Sequence, residues 1–420
     1  MADIRMKLRR LLGGEEPQQH PPSKERERPP LTEQELVGDE NNDFALAIYE
    51  QLRSRPGNLF LSPFSIRSAL CMIEAGARKE TAAEMRTALR ISSSGDNRAD
   101  LVNIVQRLKL ANDGKYEMTV ANSLWPQDGA PLQPEFVDLI VRDYDGHINL
   151  VDYQKNADAA CLEINRWVED KTRQKIRDLI PPGSLGPLTR LVLVNAVYFK
   201  GTWVLKFRKS NTNEQPFFLE GGGKVRVPLM YQQHDRIRYF QGFDFQAVEL
   251  IYESGDLSML VILPDRNDGL SKLEKTLSAR LLRDCVQQMN SREVKLFLPR
   301  FKTTWDGVDI SMNISALGMP LAFKPFQADF SGINGIEPPD ERSLNIGAVF
   351  HKAFVDVYEE GTEAAAATGV VAMCGAALYP PEPPPVPIFR ADHPFIFAIR
   401  DRQSGTILFL GRMLNPTLAS

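Results

Sequence analysis

The sequence predicts an α+β fold built on large, mostly antiparallel sheets. Three observations carry that expectation. Helical patterns occupy the early chain and strand patterns the later chain, without the regular alternation that marks parallel βαβ units. The 420 residues are 43% hydrophobic and 25% charged, enough for a sizeable core under a polar surface. The run LVLVNAVYF at 191–199, apolar but for Asn195, has the length of a single strand covered on both faces.

Residues 1–40 are polar, with EEPQQHPPSKERERPP at their centre, and read as a disordered tail whose charges serve solvation. Residues 41–420 read as one folded domain. In NNDFALAIYEQL, Asn41 or Asn42 can cap a helix, and Phe44, Ile48 and Leu52 recur on one face. In LSPFSIRSALCMIEAGA, Ser62 is a good N-cap, Pro63 suits the first turn, and Gly76 stops the helix. A further helix is expected at about residues 81–89. QAVELIYESGDLSMLVILP predicts two strands around Ser254, Gly255 and Asp256. EVKLFLPRF alternates and stops at Pro299, and NIGAVFHKAFVDVY reads as another strand. PFIFAIRDRQSGTILFLGRMLNP predicts a C-terminal hairpin turning near residues 403–405.

Several function classes lose support at this level. A net charge of −4 gives wholesale nucleic-acid binding no electrostatic basis. No stretch approaches the roughly 18 apolar residues of a membrane span. The basic start MADIRMKLRRLLGG lacks the run of about 7–15 apolar residues of a secretory signal. The compartment stays open between cytoplasm, non-classical export and a misassigned start. Cys71, Cys161, Cys285 and Cys374 form no CxxC pair or zinc spacing and read mostly as buried thiols. No metal or cofactor is expected.

Nothing marks an enzyme. None of the five histidines stands in HExxH, and no GxSxG elbow is present. EGGGKVRVP resembles a phosphate loop only loosely: Val225 follows Lys224 and the spacing is wrong, so a glycine hairpin is expected. Two polar residues stand out inside apolar strands, Asn195 in LVLVNAVYF and His351 in AVFHKAFV. A buried amide without a partner costs about 1–3 kcal/mol, so each is either a satisfied core residue or the partner of the other across two strands.

Four motifs in order resemble the serpins, serine protease inhibitors with a mobile reactive loop. They are NLFLSPFSIRSALCMIEAGARKETAAEM, NAVYFKGTW, EEGTEAAAATGV and HPFIFAIRDRQSGTILFLGRMLNP, and the likeness covers about residues 43–416. The third resembles the hinge of inhibitory, intracellular clade-B-like members. The resemblance implies three mostly antiparallel sheets, about eight or nine helices and an exposed reactive-centre loop over about residues 359–390. It also implies an activity: a target protease attacks the loop and forms an acyl-enzyme. The cleaved loop then inserts into the large sheet, and the distorted protease cannot finish hydrolysis.

The hinge composition suits insertion physically. A strand entering a sheet must donate every ladder hydrogen bond, and residues 359–379 contain no proline. Gly361 can take the dihedrals of a bend, and Thr362 would enter first, where a charge would be buried at several kcal/mol. Glu363 follows, and Ala364, Ala365, Ala366 and Ala367 present little volume on either face. Alanine is a poor strand former, so the uncut segment gains little from joining the sheet. The fifteen residues 361–375 would span roughly 50 Å at about 3.3 Å each.

By resemblance, Ser62, Ser65, Asn195 and His351 match the family's polar shutter beneath the central strands, where the sheet must part. Glu359, Arg300 and Trp203 match the breach at the top of the inserting strand, although Glu359 and Arg300 read equally as a surface ion pair worth at most about 1 kcal/mol. The family's hinge offset places the reactive bond between Gly375 and Ala376, with Met373, Cys374, Leu378 and Tyr379 as alternative bait. The absence of Arg and Lys from residues 361–379 argues against trypsin-like targets. Elastase-, subtilisin- or chymotrypsin-like proteases are the expected partners of a monomeric inhibitor, with papain-like cysteine proteases as a further class. The chain departs from the family pattern in PPEPPPVP at 380–387, a stiff extended insertion. A non-inhibitory carrier or chaperone on the same fold is the competing reading; bulky, charged or proline residues in the hinge would have favoured it.

Overall fold

A computed structural model describes residues 33–91, 102–104, 106, 116–305, 308–362 and 385–418. Glu33–Ser420 forms one unit. Its elements begin with α1 (Glu33–Leu52), β1 (Leu59–Leu61), α2 (Pro63–Glu74), α3 (Lys79–Ala88), β2 (Tyr116–Pro126), α4 (Pro134–Tyr144), β3 (His147–Ile148) and α5 (Tyr153–Lys171). Four strands in succession follow: β4 (Leu191–Thr202), β5 (Asn213–Phe218), β6 (Lys224–Gln241) and β7 (Phe245–Ile251). Next come β8 (Leu257–Pro264), α6 (Leu270–Thr276), α7 (Ala279–Gln288), β9 (Asn290–Pro299), β10 (Phe301–Thr304) and β11 (Val308–Asp309). The last are α8 (Ser311–Ser315), α9 (Ser331–Asn334), β12 (Ala348–Val357), β13 (Gly361–Thr362), β14 (Ile388–Arg390), β15 (Phe395–Asp401) and β16 (Ile407–Met413).

Local signals explain most starts and stops. Ser62 caps α2, accepting from the Ser65 amide at 3.3 Å, and Pro63 occupies the first turn. The glycine run forms the β5–β6 turn, with Gly221, Gly222 and Gly223 all at positive φ, as a hairpin requires. The first helix differs from expectation. It starts at Glu33, and Asn41 and Asn42 lie inside it rather than at its cap. Their amides donate to the carbonyls of Ile407 and Gly405, each at 3.0 Å, so both residues serve tertiary contacts.

The strands form two hydrogen-bonded sheets. The nine-stranded one runs β1-β16-β15-β8-β7-β6-β9-β14, with β5 on β6. The seven-stranded one runs β10-β12-β4-β2-β3, with β11 on β12 and β13 on β4. Where the resemblance implies three sheets, hydrogen bonding is continuous through the long strand β6, which pairs with β5, β7 and β9, so the described strands form two sheets.

β4 is the centre of the second sheet. It pairs antiparallel with β2 from Pro126↔Leu191 to Tyr116↔Gly201 and parallel with β12 from Ala348↔Val192 to Phe354↔Tyr198. Its side chains alternate between two apolar layers. Leu191, Leu193, Val197 and Phe199 face the main core, while Val192, Val194 and Ala196 face a smaller cluster beneath α5. Burial on both faces is what the unbroken apolar run requires.

Candidate functional site

Two polar groupings interrupt the apolar seam between β4 and β12. The lower one is a row across three strands. Asn122 on β2 lies opposite Asn195 on β4, which lies opposite His351 on β12. All three are buried, as are Ser62 and Ser65 on α2 beneath them.

The hydrogen bonds of this row can be followed atom by atom. The Ser62 amide donates to His351 Nε2 at 3.0 Å. The ring proton therefore sits on Nδ1, which donates to Asn195 Oδ1 at 2.5 Å. Asn195 Nδ2 donates to Ser65 Oγ and to Asn122 Oδ1. Ser62 Oγ donates to the Leu408 carbonyl at 2.7 Å and ties α2 to the other sheet. Burial holds His351 neutral, pushing its pKa down to about 3 against the weaker opposing effect of the hydrogen bond it donates to Asn195. Ser62, Ser65, Asn195 and His351 are thus brought together, and Asn122 joins them. The sequence gives no sign of which residue faces Asn195 until the β2–β4 register is known.

The upper grouping surrounds a sharp reversal after β12. Tyr358 and Gly361 exchange backbone hydrogen bonds at 2.9 and 3.1 Å. The chain then runs back antiparallel to β4, pairing Gly361 with Thr202 and Thr362 with Gly201. Gly361 has φ +144°, and a Cβ there would lie 2.2 Å from the Gly201 carbonyl oxygen. Only glycine satisfies both the dihedral and the close approach.

Glu359 anchors this turn. Its carboxylate is 1% exposed and takes Arg300 in a two-pronged ion pair, with Nε to Oε2 at 2.7 Å. Thr212 Oγ1 donates to the same carboxylate. The burial of Glu359 removes the surface-pair reading. Burial alone would raise its pKa, but the hydrogen bonds of Arg300 and Thr212 outweigh that and hold it below 4.5. Trp203 Nε1 donates to the Tyr358 carbonyl at 3.1 Å, and its ring stacks on Tyr252 at 4.4 Å. Trp203, Arg300 and Glu359 therefore meet at the top of the seam, directly beside Gly361 and Thr362. Thr212 was not visible from sequence, because it lies far from Glu359 along the chain.

The remaining expected positions, Glu363, Ala364, Ala365, Ala366, Ala367, Met373, Cys374, Gly375, Ala376, Leu378 and Tyr379, lie outside the described residues, as do residues 1–32 of the expected tail. Cys71, Cys161 and Cys285 are all buried.

With the fold and seam in place, comparison with known proteins is decisive. The family model "Serpin (serine protease inhibitor)" matches residues 39–416. The chain belongs to the serpin family. An uncharacterized serpin-like protein of Thermococcus kodakarensis is 41% identical over 89% of this chain and 84% of its own length. Leukocyte elastase inhibitor A of Rattus norvegicus is 36% identical over 91% of this chain and all of its own. Human thyroxine-binding globulin complexed with thyroxine superposes with a TM-score of 0.81 at 26% identity, covering 92% of this chain and all of that one. Relatives in clade B place protease inhibition, rather than catalysis, as the general activity, with proteases as the partners.

Two predictions follow from the site's electrostatics. Arg300→Met leaves the buried Glu359 carboxylate without its guanidinium and should destabilise the intact fold by about 2 kcal/mol. Because the folded pKa of Glu359 lies below 4.5, the contribution is present above that pH and lost as pH falls through the folded value. Urea unfolding of both proteins across acidic pH should show the gap closing; a gap independent of pH would contradict this assignment. For His351, held near 3 against an ordinary 6.5, stability is complete above 6.5 and falls as pH drops towards 3. His351→Gln should lose that pH slope in the same titration.

Proposed function

We propose that this serpin inhibits serine endopeptidases as a suicide substrate, trapping the acyl-enzyme by insertion of its cleaved loop between β4 and β12. The observation that carries the reading is the reversal at residues 358–361. It leaves the chain running antiparallel to β4, already hydrogen-bonded to Gly201 and Thr202, and directed down the seam. A strand continuing in that direction would run antiparallel to both β4 and β12 and could satisfy both ladders. The residues next in sequence, Glu363 and Ala364 to Ala367, are small or polar and free of proline, as the passage requires.

In this reading the protease hydroxyl attacks the bait carbonyl within residues 373–379 and forms an ester, releasing the new amino terminus. Insertion carries the ester away before water can complete deacylation. The polar row and the Glu359 anchor serve as gate and hinge. Bait of the Met373, Cys374, Leu378 or Tyr379 type fits elastase-, subtilisin- and chymotrypsin-like pockets, whereas Gly375 offers such a pocket no side chain, and the same chemistry extends to papain-like thiols. The inhibitor acts as a monomer.

A carrier role is the second reading, favoured by a cavity of about 250 Å³ between α1, α7 and the nine-stranded sheet. Arg238, Arg283, Arg400 and Arg402 line it, though the first three already pair with Glu249 or Asp39, and the related globulin is a serpin-fold protein that holds thyroxine. Its size counts against that role, because drug-sized ligands occupy about 300–1,000 Å³.

Incubation with elastase, subtilisin, chymotrypsin, trypsin and papain, followed by a denaturing gel, tests the inhibitor reading. A gel-stable covalent complex with at least one non-tryptic protease is expected. Clipping without any complex, together with saturable thyroxine binding, would favour the carrier. Thr362→Arg should turn inhibitor into substrate, since insertion would bury a guanidinium at several kcal/mol; undiminished complex formation by that variant would contradict insertion.

A further inference from the structure

One feature of the seam lies outside both polar groupings. Tyr198 on β4 and Phe354 on β12 form the last rung of the parallel ladder. Their rings stack across the seam with centroids 5.9 Å apart and planes at 24°. Tyr198 is 2% exposed although it stands on the face away from the main core, continuing the alternation of Val194 and Ala196. Two ammonium groups cover the stack. Lys175 Nζ lies 5.4 Å from the Tyr198 ring, and Lys302 Nζ lies 5.7 Å from the Phe354 ring while pairing with Asp356 at 2.9 Å. The chain after α5 is thereby fastened to both strands, because the Arg177 carbonyl accepts Lys352 Nζ from β12 at 3.0 Å.

The position of this stack sets its consequence. Above it β4 leaves β12 and pairs instead with Gly361 and Thr362. A strand advancing along β4 from Thr362 therefore meets the Tyr198–Phe354 rung before the buried row of Asn195 and His351. Neighbouring strands lie about 4.8 Å apart, so a strand between β4 and β12 moves them to about 9.6 Å. Rings stacked at 5.9 Å cannot stay in contact across that distance. The stack exists in the closed sheet and is lost in the opened one.

The geometry points to Tyr198 and Phe354, with Lys175 over the outer ring face, as an aromatic clasp that sets the rate at which the seam opens. This assignment rests on the loop-insertion reading above. Both are positioning residues: neither touches a protease, and they act through the spacing of β4 and β12. Phe354→Leu keeps an apolar side chain in the sheet but removes the stack, and Tyr198→Leu does the same from the other side.

The test uses the intact full chain and a synthetic peptide of residues 361–375, with uptake followed by native gel. Phe354→Leu and Tyr198→Leu should each take up peptide about twofold to tenfold faster than wild type, the range spanned by one aromatic pair. Lys175→Gln should accelerate uptake by a smaller factor, and it carries the test alone if the leucine variants do not fold. The double leucine variant should show coupling in the urea unfolding midpoint of the intact protein and none in the peptide-loaded form. Equal coupling in both forms would mark the pair as ordinary core and overturn the clasp. Peptide uptake by wild type at a rate that all three variants match would overturn the clasp and leave loop insertion standing. No uptake by wild type would overturn both.

Discussion

The parallel pairing of β4 with β12 is the interaction on which the rest of this molecule depends. On its other edge β4 is held by long antiparallel pairing with β2, and both faces of the strand are buried. The β12 pairing is shorter. It stops at Phe354↔Tyr198, and above that point the edge of β4 is taken up by the reversed chain at Gly361 and Thr362. The sheet is thus closed below and occupied by a foreign strand direction above. On the proposed mechanism this makes the closed sheet a compromise: a strand that continued downward would replace one set of ladder hydrogen bonds with two.

The chemistry along the seam is graded to match. At its mouth Glu359, Arg300, Thr212 and Trp203 fix the turn so that the chain can leave β12 in only one direction. Below the mouth an aromatic pair spans the two strands. Lower still a row of amide, imidazole and hydroxyl groups joins three strands to α2. Hydrogen bonds of that kind can change partners as strands part, whereas interlocked branched side chains would lose packing with no substitute. Keeping His351 neutral belongs to the same design, because an imidazolium here would find no anion in the row.

The legibility of this arrangement in the sequence varied with the kind of signal. Ser62 and Pro63 announced α2, the run at 191–199 announced a doubly covered strand, and the glycines at 221–223 announced a hairpin, since each is a local property. Polar residues within apolar runs marked Asn195 and His351 for the same reason. β6 escaped because it is shared between two packing environments: its register shifts between His234 and Ile237, and Pro228 breaks the alternation. Asn41 and Asn42 read as caps because a short polar side chain before an apolar face has that local meaning, while their partners lie at the far end of the chain. Asn122, Thr212 and the Tyr198–Phe354 rung depend on register between distant strands, which no local pattern encodes.

On the proposed mechanism the intact chain is held in a conformation less stable than the one it reaches once its loop is cut. Differential scanning calorimetry of intact protein and of protein nicked once within residues 373–379 measures this directly. The account predicts a markedly higher Tm for the nicked form, because the cut chain gains a central strand. Equal melting temperatures would contradict it, and so would a lower one after nicking.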